Sequence, residues 1–175
     1  TALYNYLFAK QNNGKFILRI EDTDQKRFIK NATNNLQLTL KTYGLRYDEG
    51  PDKKGLAGPY VQSKRLHIYK KYYLKLIKDG SAYVCFQNEL QPDQLVPEWN
   101  PEIALKRITN EPFVVKLKIH KNDTLIVCDE IRGKISFDLN LIDDFIIIKS
   151  DGYPTYHFAN VVDDHLMNIS HVIRG

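Results

Sequence analysis

Phe16-Ile17-Leu18-Arg19-Ile20-Glu21-Asp22-Thr23-Asp24 decides the fold class. The first five residues are apolar apart from Arg19 and do not alternate with polar ones, which is the signature of a strand buried on both faces. The run then breaks into three carboxylates and a threonine, which are residues that open helices by accepting free backbone N–H groups at the positive end of the helix dipole. A buried strand that passes through an acidic tip into a helix is half of a strand–helix–strand unit. A helix is therefore expected from this tip towards Tyr43, ending at Gly44.

The neighbouring segments extend this pattern. Residues 1–11 read as a helix with Leu3, Leu7 and Phe8 on one face and Gly14 as its stop. Residues 47–59, rich in Gly, Pro, Asp and Lys, form a loop. Leu66, Tyr69, Tyr73, Leu76 and Ile77 recur at helical spacing, so a long helix spans 63–79 and stops at Gly80. A short strand follows at 82–86. Pro92, Pro97, Pro101 and Pro112 leave only short helices between 87 and 111. Strands are then expected at 113–119, 124–129 and 134–137. Val114, Lys116 and Lys118 alternate with Val115, Leu117 and Ile119, which gives a sheet with one wet face, and 120–123 reads as a hairpin loop. Another buried strand covers 144–149, a turn follows at 150–154, a helix spans 155–167, and His171-Val172-Ile173-Arg174 closes the chain as a strand. The ends alternate strand and helix while the middle is antiparallel. The fold class is α/β, a doubly wound parallel sheet interrupted by an α+β insertion.

Composition narrows the function classes. A chain of 175 residues can bury a substantial core, and 43% hydrophobic with 26% charged residues is ordinary for a globular protein. No apolar stretch approaches the roughly 20 residues that span a bilayer, so no membrane role is expected. The net charge of +4 permits a polyanion partner without requiring one. Lysines gather at 64–78 and 116–121, which on composition alone read as solvated faces. Cys85 and Cys128 stand far apart without Cys/His company, so neither a metal site nor a disulfide framework is expected, and a reduced cytosolic or organellar compartment fits. Met167 is the only methionine, and the chain opens inside a helix with no targeting peptide in view. An internal segment of a longer protein is the expectation.

Three constellations could carry chemistry. At the strand tip, the three carboxylates could hold an ammonium group or a metal, with Glu21 the better candidate, since ligands of open parallel sheets bind beyond the carboxyl ends of strands. Asp22, Thr23 and Asp24 serve equally well as helix caps. Tyr156, Asn160 and Asp163/Asp164 share a helical face and could line a pocket with Glu21, or they could be core aromatics and solvated acids. Arg174, at the tip of the last expected strand, offers a forked cation to a carboxylate or phosphate, with a salt bridge to Glu21 or Asp22 as the alternative. Neither a phosphate-cradling glycine loop nor a G-x-S-x-G elbow is present, and no internal repeat occurs.

Five blocks carry a resemblance: Ala2-Leu3-Tyr4-Asn5-Tyr6, Arg19 to Asp24, Tyr47-Asp48-Glu49-Gly50-Pro51, Gly58-Pro59-Tyr60-Val61-Gln62-Ser63, and the long run from Lys149 through Asp151-Gly152-Tyr153-Pro154-Thr155-Tyr156-His157-Phe158-Ala159-Asn160-Val161-Val162-Asp163-Asp164-His165 to Leu166. In order and spacing they closely resemble glutamyl-tRNA synthetases of the bacterial type. The resemblance implies a class I synthetase Rossmann-like catalytic domain in two halves, 1–81 and 150–175, with an acceptor-stem-binding insertion at 82–149. It implies glutamate–tRNA ligation, with ATP as substrate together with Mg2+, and L-glutamate and tRNA(Glu) as partners. The implied protein is a monomer of the cytoplasm or an organellar matrix, without bound zinc. By position, Glu21 resembles the residue that takes the substrate's α-ammonium, Tyr156 and Asn160 resemble side chains lining the glutamate pocket, and Arg174 resembles the arginine on its γ-carboxylate. In the insertion, Asp129-Glu130-Ile131-Arg132-Gly133 matches a family motif, and Lys116, Lys118 and Arg132 are the expected phosphate contacts. The family's two ATP motifs belong before Thr1 and after Gly175, so this chain by itself is expected not to activate glutamate.

Three rivals remain at this point. One is the related enzyme that glutamylates the queuosine base of a tRNA, which usually carries zinc-binding cysteines. Another is a non-catalytic RNA-binding module descended from a synthetase. The last is a nucleotide-binding oxidoreductase, for which the glycine fingerprint is missing.

Overall fold

The computed structural model describes residues 1–27, 29, 31–86 and 100–173. They fall into two compact units, one of Thr1–Tyr69 with Tyr156–Gly175 and the other of Lys70–Thr155. Arg174, and the expected proline breaks at Pro92 and Pro97, lie outside the described residues.

In the first unit, helix α1 (Ala2–Gln11) leads into the extended segment that contains Ile17 and Ile20. Asn13 closes α1 in the left-handed conformation at φ 52°, one residue before the expected glycine stop, with Gly14 N–H reaching back to the Ala9 carbonyl. An asparagine can take this position because its side chain tolerates positive φ. The segment 16–20 pairs in parallel with two others, Ile17 bridging Glu49 and Ile20 bridging Val61. Leu18 N–H bonds the Glu49 carbonyl, and Ile20 N–H bonds the Tyr60 carbonyl. Both bridges use the same edge of the segment, so the expected strand takes the form of two bridges instead of a continuous ladder.

The helix expected to start at the acidic tip begins later. Residues Gln25–Arg27 form a 3-10 turn, and helix α2 runs over Ala32–Thr42. The Asp24 carboxylate accepts from Lys26 N–H and Arg27 Nε, a local side-chain turn that competes with the α-helix. At the far end, Gly44 (φ 72°) makes the expected stop, with Gly44 N–H on Lys41 O and Leu45 N–H on Leu40 O. Helix α3 (Leu66–Lys78) follows a 3-10 turn at Gln62–Arg65, and it buries Tyr69, Tyr73 and Ile77 at the expected spacing of four.

The second unit holds β1 (Ala82–Phe86), the short helix α4 (Pro101–Arg107), β2 (Phe113–Leu117), β3 (Thr124–Asp129), β4 (Gly133–Asp138) and β5 (Phe145–Ile148). Asn100 caps α4 by accepting from Glu102 and Ile103 N–H, with Pro101 in the first turn, where its missing donor does no harm. Strands β1, β2 and β5 form an antiparallel sheet in that order, around buried Val84, Val115, Ile147 and Ile148. Strands β3 and β4 form a separate hairpin. Residues 120–123 are therefore not the expected hairpin loop: β1 and β5 occupy both edges of β2, and β3 pairs forward. The turn of that hairpin is 130–132. There the Asp129 carboxylate accepts from Ile131 and Arg132 N–H, and Gly133 takes φ 77°.

The chain re-enters the first unit as α5 (Tyr156–Leu166). The final strand expected at 171–174 is not seen in its described part. Residues 171–173 carry no regular structure and follow α1, with Asn5 Nδ2 donating to the Ile173 carbonyl and the Phe8 and His171 rings 4.6 Å apart.

One buried acid in the first unit links sequence pattern to stability. Glu49 accepts from Lys15 Nζ at 2.6 Å and from the Tyr60 hydroxyl. A Cβ at Gly55 would sit 2.1 Å from its carboxyl group, so that position must be glycine if Glu49 is to stay. The bond from Lys15, then that from Tyr60, holds Glu49 below the usual carboxylate range. A lowered native pKa stabilises the fold above the unfolded value of about 4.3, and that contribution disappears as pH falls through the native value. We expect Glu49→Gln to lower the urea midpoint at pH 7, with the gap to the parent narrowing at pH 3. Equal gaps at both pH values would show that the charge on Glu49 contributes nothing.

Candidate functional site

The first unit carries a cleft of about 970 Å³ between α1, the segment 14–21 and α5. Its polar wall is built from Arg19, Glu21, Asn160 and Asp164. Arg19 and Glu21 are two apart on an extended segment, so both project to the same side. Asn160 and Asp164 are one helical turn apart on α5.

Arg19 joins these groups. Its Nη1 donates to Asp164 Oδ1 at 2.6 Å, and its Nη2 donates to Glu21 Oε1 and Asn160 Oδ1, each at 3.2 Å. Burial works against the Arg19 charge, but the bonds and charges of Asp164 and Glu21 outweigh it and hold the guanidinium above its ordinary value. Glu21, a third exposed at its side chain, keeps a carboxylate at the cleft. Tyr156 is 46% exposed at the start of α5, its ring edge-on to His157, and it also lines the cleft.

Behind this wall lies a layer closed to solvent. Asp163 is fully buried and accepts from Arg65 Nε at 2.7 Å, Tyr69 Oη at 2.8 Å and Gln62 Nε2 at 3.0 Å. Gln62 Nε2 also donates to Asn160 Oδ1 at 3.0 Å. Arg65, 1% exposed, places Nη1 on the carbonyls of Ala57 and Pro59. Burial, then the neighbouring Asp163, pushes the Tyr69 hydroxyl well up, so it remains a donor. Asp22, which the sequence offered as a cap of the helix after it, does not cap that helix: its Oδ1 accepts from Ser63 N–H at 2.8 Å, in the 3-10 turn Gln62–Arg65.

The structure thus brings Glu21, Tyr156 and Asn160 to one cleft. Asp163 and Asp164 divide, one into the buried layer and one onto the wall. Lys116 is half-buried on β2, Lys118 lies just past that strand, and Arg132 is exposed at the β3–β4 turn, so the expected phosphate contacts sit on two different sheets. Arg174 lies outside the described residues, and the ion-pair partner that the structure gives Glu21 is Arg19. Sequence reasoning missed Arg19, Gln62, Arg65 and Tyr69. A cation inside an apolar strand was the available signal for Arg19. Nothing local marks Gln62 or Arg65, whose partner lies about a hundred residues away.

With this geometry in view, comparison with known proteins places the chain. It belongs to the class I tRNA synthetases of the glutamate and glutamine type: the model of that family's catalytic domain, "tRNA synthetases class I (E and Q), catalytic domain", matches residues 1–98 and 91–175. The chain is 47% identical to the glutamate–tRNA ligase of Finegoldia magna and 47% identical to that of Chlorobaculum parvum, over its whole length in both cases. It spans 41% and 39% of those two proteins. The crystal structure of a glutamate tRNA ligase from Elizabethkingia meningosepticum in complex with its amino acid superposes with a TM-score of 0.87 at 38% identity, over 99% of this chain and 39% of that one. The glutamate–tRNA synthetase of Elizabethkingia anophelis gives 0.86, also at 38% identity, over 99% of this chain and 40% of that one. The fold is that of the class I synthetase catalytic domain.

Asp163→Ala would strand Arg65 as a buried, unpaired cation. Breaking a buried pair in this way costs ~3–5 kcal/mol. We expect the variant to be largely unfolded at 37 °C by circular dichroism. A melting curve within a degree or two of the parent would mean that solvent reaches Arg65.

Proposed function

We propose that the complete protein containing these residues is a glutamate–tRNA ligase. The observation that carries this reading is the match along the whole chain, at 47% identity, to ligases of that name. The cleft suits an amino acid. Glu21, an acceptor-only carboxylate, would receive the α-ammonium group. Tyr156 and Asn160 would line the pocket, and Arg174 would take the γ-carboxylate, where a forked cation favours glutamate over glutamine because an amide leaves its charge poorly paired.

The reaction in this reading has two steps. A glutamate α-carboxylate oxygen attacks the α-phosphorus of ATP and pyrophosphate leaves. The terminal ribose hydroxyl of tRNA(Glu) then attacks the acyl carbon, losing its proton as AMP departs. No side chain forms a covalent bond, so the residues contribute by positioning and charge placement. Magnesium enters with the nucleotide, bound to its phosphates. The segment 82–149 would be the insertion that receives the acceptor stem, flanked by the catalytic halves 1–81 and 150–175. Lys116, Lys118 and Arg132 would meet its phosphates. We place the protein as a monomer of the cytosol or an organellar matrix, with no resident zinc.

The test is ATP–pyrophosphate exchange with L-glutamate and cognate tRNA, run on the complete protein beside Glu21→Gln and Arg174→Ala. A charge-assisted bond is worth about 1.5–3 kcal/mol, so each variant should lose ~10-fold or more in kcat/KM for glutamate. An intact, folded protein that gives no exchange yet binds tRNA with steep salt dependence would replace this reading with an RNA-binding one.

A further inference from the structure

The amide of Asn160 has its orientation forced by chemistry. A guanidinium has donors and no acceptor, so the Asn160 atom facing Arg19 Nη2 at 3.2 Å is the oxygen. Gln62 is fixed in the same way. The group it presents to the Asp163 carboxylate, which already takes bonds from Arg65 and Tyr69, must be its NH₂. The second hydrogen of that NH₂ then falls on Asn160 Oδ1, at 3.0 Å. Asn160 Oδ1 is therefore held by two donors on the buried side. Its Nδ2 group has no hydrogen-bond partner among the described residues, although the side chain lines the cleft. A cost on the protein side marks the arrangement. Gln62 Oε1 and Arg19 Nε are buried without partners among the described residues, and natural folds rarely leave such atoms.

We infer that Arg19 and Gln62 are positioning residues for substrate recognition: together they lock the Asn160 amide with Nδ2 as a fixed donor to a carboxylate oxygen of the amino-acid substrate. The inference rests on the functional reading above and deepens it. Without the lock, the amide turns freely about its last torsion and presents oxygen as readily as nitrogen. A free amide spends part of its time repelling the carboxylate, and it must be ordered when substrate binds. The lock also explains why two potential hydrogen bonds are forgone. Turning Gln62 to satisfy its own oxygen would aim that oxygen at Asp163 and release Asn160.

Gln62→Met keeps the volume and removes the donor, while Asp163 retains Arg65 and Tyr69. Arg19→Lys keeps the charge but cannot fork to Glu21, Asn160 and Asp164 at once. Both variants of the complete protein would be made alone and in an Asn160→Ala background. The readouts are the Kd for L-glutamate by calorimetry, and KM and kcat in pyrophosphate exchange. We expect Gln62→Met to raise Kd and KM about 10-fold with kcat changed less than ~2-fold, and Arg19→Lys to raise both at least as much. In the Asn160→Ala background, Gln62→Met should change Kd by less than about 2-fold, because the residue it positions is already gone. A Kd unchanged by Gln62→Met, or raised equally in both backgrounds, would overturn the inference. A parent protein that neither binds glutamate nor exchanges pyrophosphate would instead remove the functional reading beneath it.

Discussion

The Asp163 carboxylate, buried beside Arg65, is the constraint on which the rest of the first unit depends. Taking two charges out of water costs several kcal/mol each, and mutual attraction repays this only when every remaining lone pair and proton is used. Here they nearly all are. Tyr69 and Gln62 complete the carboxylate, and the carbonyls of Ala57 and Pro59 take the guanidinium. The same six groups tie α5, the first turn of α3 and the loop before it into one arrangement. A shift of any of these elements by an ångström would leave a charge stranded, so the pair specifies position more than it adds stability.

That arrangement passes outward to the cleft through one shared side chain. Gln62 gives one hydrogen to Asp163 and the other to Asn160, so the buried pair and the exposed wall are coupled by a single amide group. Arg19 repeats the device from the other side by touching Asn160, Asp164 and Glu21 at once. The cleft therefore presents preset partners: a carboxylate from Glu21 and an amide from Asn160. Preorganisation of this kind lowers the ordering needed when a small polar ligand binds.

What the sequence revealed follows the range of the forces involved. Helix α3, strand β3 and the stop at Gly44 were legible because neighbours in sequence determine them. The start of α2 was misplaced because Asp24 turns back on Arg27, and the hairpin loop was misplaced because β2 pairs with β1 and β5. Pairing partners are a tertiary choice that local pattern does not encode. The site divides the same way. Glu21 stood out at the tip of an apolar run and Asn160 on a polar helical face, whereas Gln62 looked like any loop residue. Its role exists only once Asp163 has come within 3.0 Å.

The placement of that long-range contact also bears on how the chain accommodates its second unit. The chain leaves the first unit at Tyr69 and returns at Tyr156, and Tyr69 itself bonds Asp163 two turns into the returning helix. That bond joins residues 94 apart in sequence and lies wholly within the first unit. A chain excursion closed by such a contact costs loop-closure entropy that grows only as the logarithm of its length. The bond between Tyr69 and Asp163 and the cleft built on α5 thus belong to one unit, and the long-range contact that orders the cleft is made there.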